Sequence, residues 1–216
     1  MTPGRFITLE GGEGAGKSTL ARSLKDRAEA LGLRVTVTRE PGGSPKAEAI
    51  REVILSGRVK QHGPFVEALM FSAARIDHID RLIRPALERD EWVICDRFID
   101  STRAYQGTLG RIDPGLLAEL EAVTIDGLMP DLTLILDLDP TIGLARAARR
   151  RAPGEGTDRF ESETLAFHRT LRQAYLDIAE REPARCVVLD AAQPPATLAQ
   201  AAWTAIRDRL PMPQTA

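Results

Sequence analysis

A three-layer α/β/α fold on a five-stranded, mostly parallel sheet is what this sequence predicts, on three observations. Five short apolar runs alternate with helix-like segments: Phe6–Leu9, Val35–Thr38, Trp92–Cys95, Leu132–Leu138 and Cys186–Leu189. Alternation of this kind marks a doubly wound sheet with helices on both faces. Several helical segments open on a capping residue followed by proline, at Ser44-Pro45, Asp113-Pro114 and Asp139-Pro140. The side-chain oxygen suits the N-cap, and proline suits the first helical position. Between the first run and the first helical segment stands Gly11-Gly12-Glu13-Gly14-Ala15-Gly16-Lys17-Ser18, which fits G-x-x-x-x-G-K-[ST]. Ligands on such sheets bind beyond the carboxyl ends of the strands. The chemistry is therefore expected just after Leu9, Thr38, Cys95, Leu138 and Leu189.

The glycine-rich stretch has a strand before it and a helix-like segment, Thr19 to Leu24, after it. That context is what makes the pattern a phosphate-binding loop. Glycines let backbone N–H groups converge on a polyphosphate, and the helix N-terminus adds a dipole that favours negative charge. Lys17 would reach the β- and γ-phosphates, and the Ser18 hydroxyl would ligate Mg²⁺. The chain is read as binding a nucleoside triphosphate.

Composition narrows the class. The 216 residues are 43% hydrophobic and 28% charged, with a net charge of −2. That balance gives no pull toward nucleic acid or an anionic membrane. No apolar run approaches the ~18 residues of a membrane span. The first strand begins too early to leave room for a signal peptide. Cys95 and Cys186 each sit in an apolar run and read as reduced core residues of a cytoplasmic protein. The three histidines, His62, His78 and His168, lack metal-ligand spacing. No repeat or linker interrupts the chain, so residues 1–210 are expected to form one domain, with a short tail at 211–216. Lys is confined to Lys17, Lys25, Lys46 and Lys60, so an isolated Arg carries little information here.

The other strand ends carry candidates in turn. Thr38-Arg39-Glu40-Pro41-Gly42-Gly43 is a turn that also brings charge to the carboxyl edge. A long helix over about Phe65 to Glu88 shows an apolar stripe of Leu69, Ala73, Ile76, Ile79 and Ile83. Phe71 and Arg75 lie one turn apart and away from that stripe. They could form a platform for a base, a ring to stack on and a guanidinium to bond a carbonyl. Equally, Phe71 could pack beneath another helix with Arg75 solvated. The third strand ends in Asp96, placed to reach Mg²⁺ directly or through water. Arg97 follows at the same edge, and the polar loop Phe98–Gly107 includes Gln106, able to donate and accept toward a base. Arg146, Arg149, Arg150 and Arg151 precede a Gly/Pro-containing stretch, a composition that suits a lid over phosphates or a solvated helix end.

A guanine-reading N-K-x-D motif is impossible, because the chain contains no Asn. A small phosphotransferase fits best. A non-catalytic nucleotide-binding module would keep the loop without needing a strand-end Asp-Arg and a basic lid.

The sequence resembles bacterial thymidylate kinases. The resemblance is carried by residues 9–19, Leu-Glu-Gly-Gly-Glu-Gly-Ala-Gly-Lys-Ser-Thr, and 38–43, Thr-Arg-Glu-Pro-Gly-Gly. It continues with Leu-Met-Phe-Ser-Ala-Ala-Arg at 69–75 and Cys-Asp-Arg-Phe-Ile-Asp-Ser-Thr-Arg-Ala-Tyr-Gln-Gly at 95–107. Pro-Asp-Leu-Thr at 130–133 and Asp-Arg-Phe-Glu at 158–161 complete it. The 38–43 and 95–107 stretches are the specific ones. The resemblance implies the P-loop nucleoside monophosphate kinase fold, phosphorylation of dTMP by ATP and Mg²⁺, and a homodimer. It implies that Phe71 stacks on thymine, that Arg75 bonds O4, and that Thr102 and Gln106 bond the base edge. Tyr105 would crowd the 2′ position, and Arg39, Arg51 and Arg97 would hold the acceptor phosphate. Glu13 would face the acceptor sugar. Gly11, Gly12, Gly14, Ala15, Gly16, Lys17, Ser18 and Thr19 would hold ATP, with Ser18 and Asp96 toward the metal. The loop interior has no Arg, so the catalytic arginine is expected in a lid at about 147–160. Arg159 is the first candidate, Arg149 is assigned with it, and Arg150 and Arg151 lie beside them. Thr108-Leu109-Gly110 is less glycine-rich than the family pattern. A kinase for another monophosphate, such as UMP or AMP, is the alternative.

Overall fold

The computed structural model describes residues 3–150 and 160–212. Its centre is a parallel five-stranded sheet of β1 (Arg5–Gly11), β2 (Val35–Arg39), β3 (Trp92–Asp96), β4 (Leu132–Asp137) and β5 (Cys186–Asp190), in the order β2-β3-β1-β4-β5. The strands fall on the five apolar runs, with β4 ending at Asp137, one residue short of Leu138. Register aligns their carboxyl ends: Arg39 and Leu9 both lie opposite Asp96, and Gly11 lies opposite Leu136. Charged side chains that are far apart in sequence thus meet at one edge.

Alternation along the strands fills two layers. Ile7, Leu9, Trp92, Ile94, Leu134 and Leu136 pack with α1 (Lys17–Glu29) and α9 (Pro195–Arg209). Phe6, Val93 and Cys95 face the other way, against Ile79, Ile83, Phe98 and Ile99. On that same face Ile135 joins Leu171, Tyr175 and Ile178 of α8 (Leu165–Arg181). Period-two side-chain direction on a twice-covered sheet requires this division. Cys95 and Cys186 are both free and buried. Among the described residues, no helix is long and apolar enough to cross a membrane.

The three proline-started helices are present: α2 (Pro45–Leu55), α6 (Pro114–Ile125) and α7 (Pro140–Arg150). Asp113 caps α6 by accepting from Leu116 N at 3.0 Å, and Asp139 accepts from Thr141 N at 2.8 Å. Ser44 departs from the expectation: its hydroxyl donates to Asp77 Oδ2 at 2.6 Å rather than capping α2.

Two sequence expectations are corrected. The long helix is not uniform: α3 (Pro64–His78) passes through a wide turn, Ile79–Ile83, into α4 (Arg84–Glu88). Its predicted apolar stripe does not face one environment. Ile79 and Ile83 are buried, whereas Leu69, Ala73 and Ile76 are exposed. The buried face of α3 instead carries Glu67, Ser72, Arg75 and His78. The stretch expected as a polar loop after β3 is helical, with α5 (Ile99–Thr102) continuing into a wide turn over Arg103–Leu109. Polar side chains there bond to partners from other elements, so the backbone is free to coil.

Candidate active site

The phosphate loop joins β1 to α1. Gly14 lies at φ +67°, and a Cβ there would sit 2.0 Å from the Gly143 carbonyl oxygen of α7, so glycine is required. Lys17 folds back on the loop, donating to the carbonyls of Gly11 and Gly12 at 3.1 Å each. Burial, reinforced by the Arg97 cation, lowers the Lys17 ammonium below its ordinary range, against the pull of Asp96 and Glu13. The Ser18 hydroxyl donates to Asp96 Oδ2 at 2.8 Å. The two residues assigned to Mg²⁺ from the sequence are therefore neighbours.

Arg97, at φ +73°, occupies a backbone region that side chains seldom adopt, a strain that clusters at functional sites. One terminal nitrogen donates to Glu13 Oε1 at 2.6 Å. The other reaches Tyr175 Oη at 3.1 Å and Ser101 Oγ at 3.3 Å. The Arg97 guanidinium also lies 5.4 Å from the Tyr105 ring centroid. Burial pushes the Glu13 carboxyl up, but the Arg97 and Lys17 cations outweigh it and hold it below the usual range. Glu13 stays ionised.

A cavity of about 260 Å³ opens from the loop. Its phosphate end is lined by residues from Glu13 to Ser18 with Asp96 and Arg97, and its far end by Phe71, Thr102, Tyr105 and Gln106. Arg39 and Arg51 stand in the same wall. Arg39 is held by Glu48 at 3.1 Å, and Arg51 donates to the Pro41 carbonyl at 2.8 Å.

The open choice at Phe71 and Arg75 resolves unevenly. Phe71 lines the cavity, 6.5 Å from the Phe160 ring. Arg75 is neither solvated nor part of the wall; it is 2% exposed, one layer behind. Its Nε donates to Glu40 Oε2 at 2.6 Å, and its terminal nitrogens donate to Thr102 Oγ1 and the Phe98 carbonyl, each at 3.0 Å. Glu40 also meets His78 Nδ1 at 3.1 Å, and His78 Nε2 lies 2.7 Å from Thr38 Oγ1. A buried cation with a partner on each of its nitrogens braces three elements at once.

Of the other expected residues, Gly11, Gly12, Thr19 and Arg149 lie outside the cavity wall, whereas Arg150 lines it. Arg151 and Arg159 fall outside the described residues. Sequence reasoning overlooked Phe160 and Glu161 of the wall, although both stand in the Asp-Arg-Phe-Glu stretch that carried the resemblance. It also missed Glu40, Glu67 and Glu10, whose partners lie 35 to 91 positions away in the chain.

A family model described as thymidylate kinase matches residues 9–202. The thymidylate kinase of Bradyrhizobium diazoefficiens is 59% identical over 208 residues, which is 96% of this chain and 90% of that protein. That of Nitrobacter hamburgensis is 58% identical over 207 residues, again 96% and 90%. A crystal structure of thymidylate kinase from Ehrlichia chaffeensis superposes with a TM-score of 0.76 at 31% identity, covering 94% of this chain and 99% of that one. By fold, by family model and by relatives matched over nearly its whole length, the chain belongs to the thymidylate kinase family, phosphotransferases that phosphorylate dTMP.

Proposed function

We propose that the protein transfers the γ-phosphoryl group of ATP directly and in line to the phosphate of dTMP. The observation that carries this reading is the single cavity wall that joins the phosphate loop to Phe71, Thr102, Tyr105 and Gln106 through Arg39, Arg51 and Arg97. It offers a triphosphate at one end, a base at the other and cations between them. The acceptor oxygen of dTMP is already anionic, so positioning and charge neutralisation matter more than base catalysis. Arg97, Arg39 and Arg51 hold the acceptor phosphate, and the Glu13 carboxylate keeps Arg97 aimed into the cavity. Lys17 exchanges its loop carbonyls for the β- and γ-phosphate oxygens. Phe71 stacks on the base, and Tyr105 closes the wall beside the sugar.

The Ser18 hydroxyl and Asp96 carboxylate suit Mg²⁺, which commonly takes one or two protein oxygens and fills the rest of its shell with phosphate and water. Bound there, the ion would neutralise the charge that develops during transfer. A lid at about 147–160, with Arg159 as its principal catalytic cation and Arg149 and Arg150 beside it, is part of the same proposal and rests on the sequence. So does the reading of residues 1–210 as one kinase domain. Two free buried thiols suit a reducing cytoplasm. A homodimer is supported by apolar exposure on neighbouring helices: Val53 of α2, Val66, Leu69 and Ile76 of α3, and Leu116 and Val123 of α6.

Parallel rate measurements with ATP and dTMP, dUMP, UMP, CMP, AMP or GMP test the substrate assignment. We expect the highest kcat/KM for dTMP; a faster reaction with UMP or AMP overturns it.

A further inference from the structure

We propose that Glu67 sets pyrimidine selectivity by fixing which face of the Gln106 amide meets the base. The inference rests on the reading of the Gln106 end of the cavity as the base site. Gln106 lines that end and is only 2% exposed. Glu67, on α3, stands outside the wall and is 7% exposed. Gln106 Nε2 donates to Glu67 Oε2 at 3.0 Å.

A glutamine amide has two faces of nearly the same shape, one that donates and one that accepts. An ionised carboxylate only accepts. Glu67 therefore takes one of the two Nε2 hydrogens and holds the nitrogen end of the Gln106 amide toward α3, so that Oε1, an acceptor, is the end turned to a base. A parallel constraint acts on Thr102. Arg75 donates to its Oγ1 at 3.0 Å, and a guanidinium only donates, so the hydroxyl proton of Thr102 is directed elsewhere. Two charges one layer behind the wall thus turn an acceptor at Gln106 toward the base and leave the Thr102 hydroxyl proton free to donate beside it. Thymine presents the matching pair, the N3–H donor and the O4 acceptor. Cytosine presents the reverse, an N3 acceptor and an N4 donor, so it meets donor with donor and acceptor with acceptor. Buried mismatches of this kind discriminate far more strongly than shape does.

The test is kcat/KM for dTMP and for dCMP, in the full chain with ATP, for wild type, Glu67→Gln, Gln106→Ala and the exchange Glu67→Gln/Gln106→Glu. Where dCMP turns over too slowly, its inhibition constant against dTMP takes the place of its rate. Glu67→Gln replaces an obligate acceptor by a group of either polarity. We expect it to lower the dTMP-over-dCMP ratio about tenfold or more, through a raised KM for dTMP with kcat little changed. The exchange keeps the buried hydrogen bond and the net charge, and it leaves a carboxylate oxygen to accept from the base. It should restore the ratio to within about threefold of wild type. A merely structural role for Glu67 would affect both substrates in proportion. An unchanged ratio in Glu67→Gln alongside a collapsed ratio in Gln106→Ala overturns the role of Glu67. An unchanged ratio in Gln106→Ala overturns the base-site reading itself. Should Glu67→Gln fail to fold, the exchange decides alone: a retained ratio supports the inference and a collapsed one overturns it.

Discussion

Glu10 lies beneath the phosphate loop, wholly buried on β1, and replacing it with glutamine isolates one electrostatic contribution. Its Oε1 accepts from Phe98 N at 2.8 Å and its Oε2 accepts from Ser101 Oγ at 2.7 Å. Burial, aided by the Asp100 carboxylate, pushes the carboxyl up from 4.5 to about 7, against Arg97 and the two hydrogen bonds. In the unfolded chain the same group ionises near its ordinary value. Between the two values the folded state binds more protons, so rising pH favours unfolding. The stability linked to this proton is fully present below about 4.5 and is lost as pH rises through about 7. Each pH unit in that window changes the folding equilibrium by up to about tenfold, or about 3 kcal/mol across it.

Glu10→Gln keeps the shape, still accepts from Phe98 N and can donate to Ser101 Oγ, but cannot ionise. Comparing urea unfolding of both proteins at pH 5, 6, 7 and 8 cancels the titration of groups that do not interact with Glu10. We expect the variant to gain about 3 kcal/mol relative to wild type between pH 5 and 8. Parallel stability curves across that range would refute the argument that burial dominates at Glu10.

Phe71→Ala should raise the KM for dTMP about tenfold while leaving that for ATP unchanged, since stacking on one base is worth about 1–3 kcal/mol; equal losses for both nucleotides would mean a structural role. Arg75→Met strands the buried Glu40 carboxylate at a cost of about 3–5 kcal/mol, which calorimetry should read as a fall in Tm on the order of 10 °C for a chain of this size. Arg159→Ala, at a position outside the described residues, should lower kcat about a hundredfold or more with little change in dTMP affinity, and an unchanged kcat contradicts the lid assignment. Leu69→Glu places charge on the exposed apolar face of α3, and sedimentation should find it monomeric if that face joins two copies.

The sheet and the phosphate end of the cavity were legible because each depends on a local pattern. Five apolar runs became five strands, and two of the three Asx or Ser caps hold as drawn. The glycine spacing needs only its neighbours to make a loop. At Ser44 a hydroxyl within reach of Asp77 on α3 prefers a carboxylate to a backbone N–H. No local rule could show that, because the partner lies 33 residues away. The same holds for the wide helical turn over Arg103–Leu109, whose polar side chains suggest a loop until their distant partners are known. Arg103 alone bonds Asp100, Glu121 and Glu182.

The misread stripe on α3 has a more general physical cause. Periodicity reports which face of a helix is apolar, and equating that face with the chain's own core assumes that the opposite face meets water. On α3 the opposite face meets the site. Arg75 and His78 are buried with their polar groups bonded, Arg75 to Glu40, Thr102 and the Phe98 carbonyl and His78 to Glu40 and Thr38, and Glu67 is bonded through Oε2 to Gln106. With polar groups paired inward, Leu69 and Ile76 are left outside at 42% and 40% exposure. Such an inversion is stable only where the buried charges find partners inside, since an unpaired buried charge costs several kcal/mol. It also ties two functions to one helix. If a second copy covers Leu69 and Ile76, it presses on the element that carries Phe71 and Glu67, so loss of the dimer should weaken dTMP binding before it touches the phosphate loop.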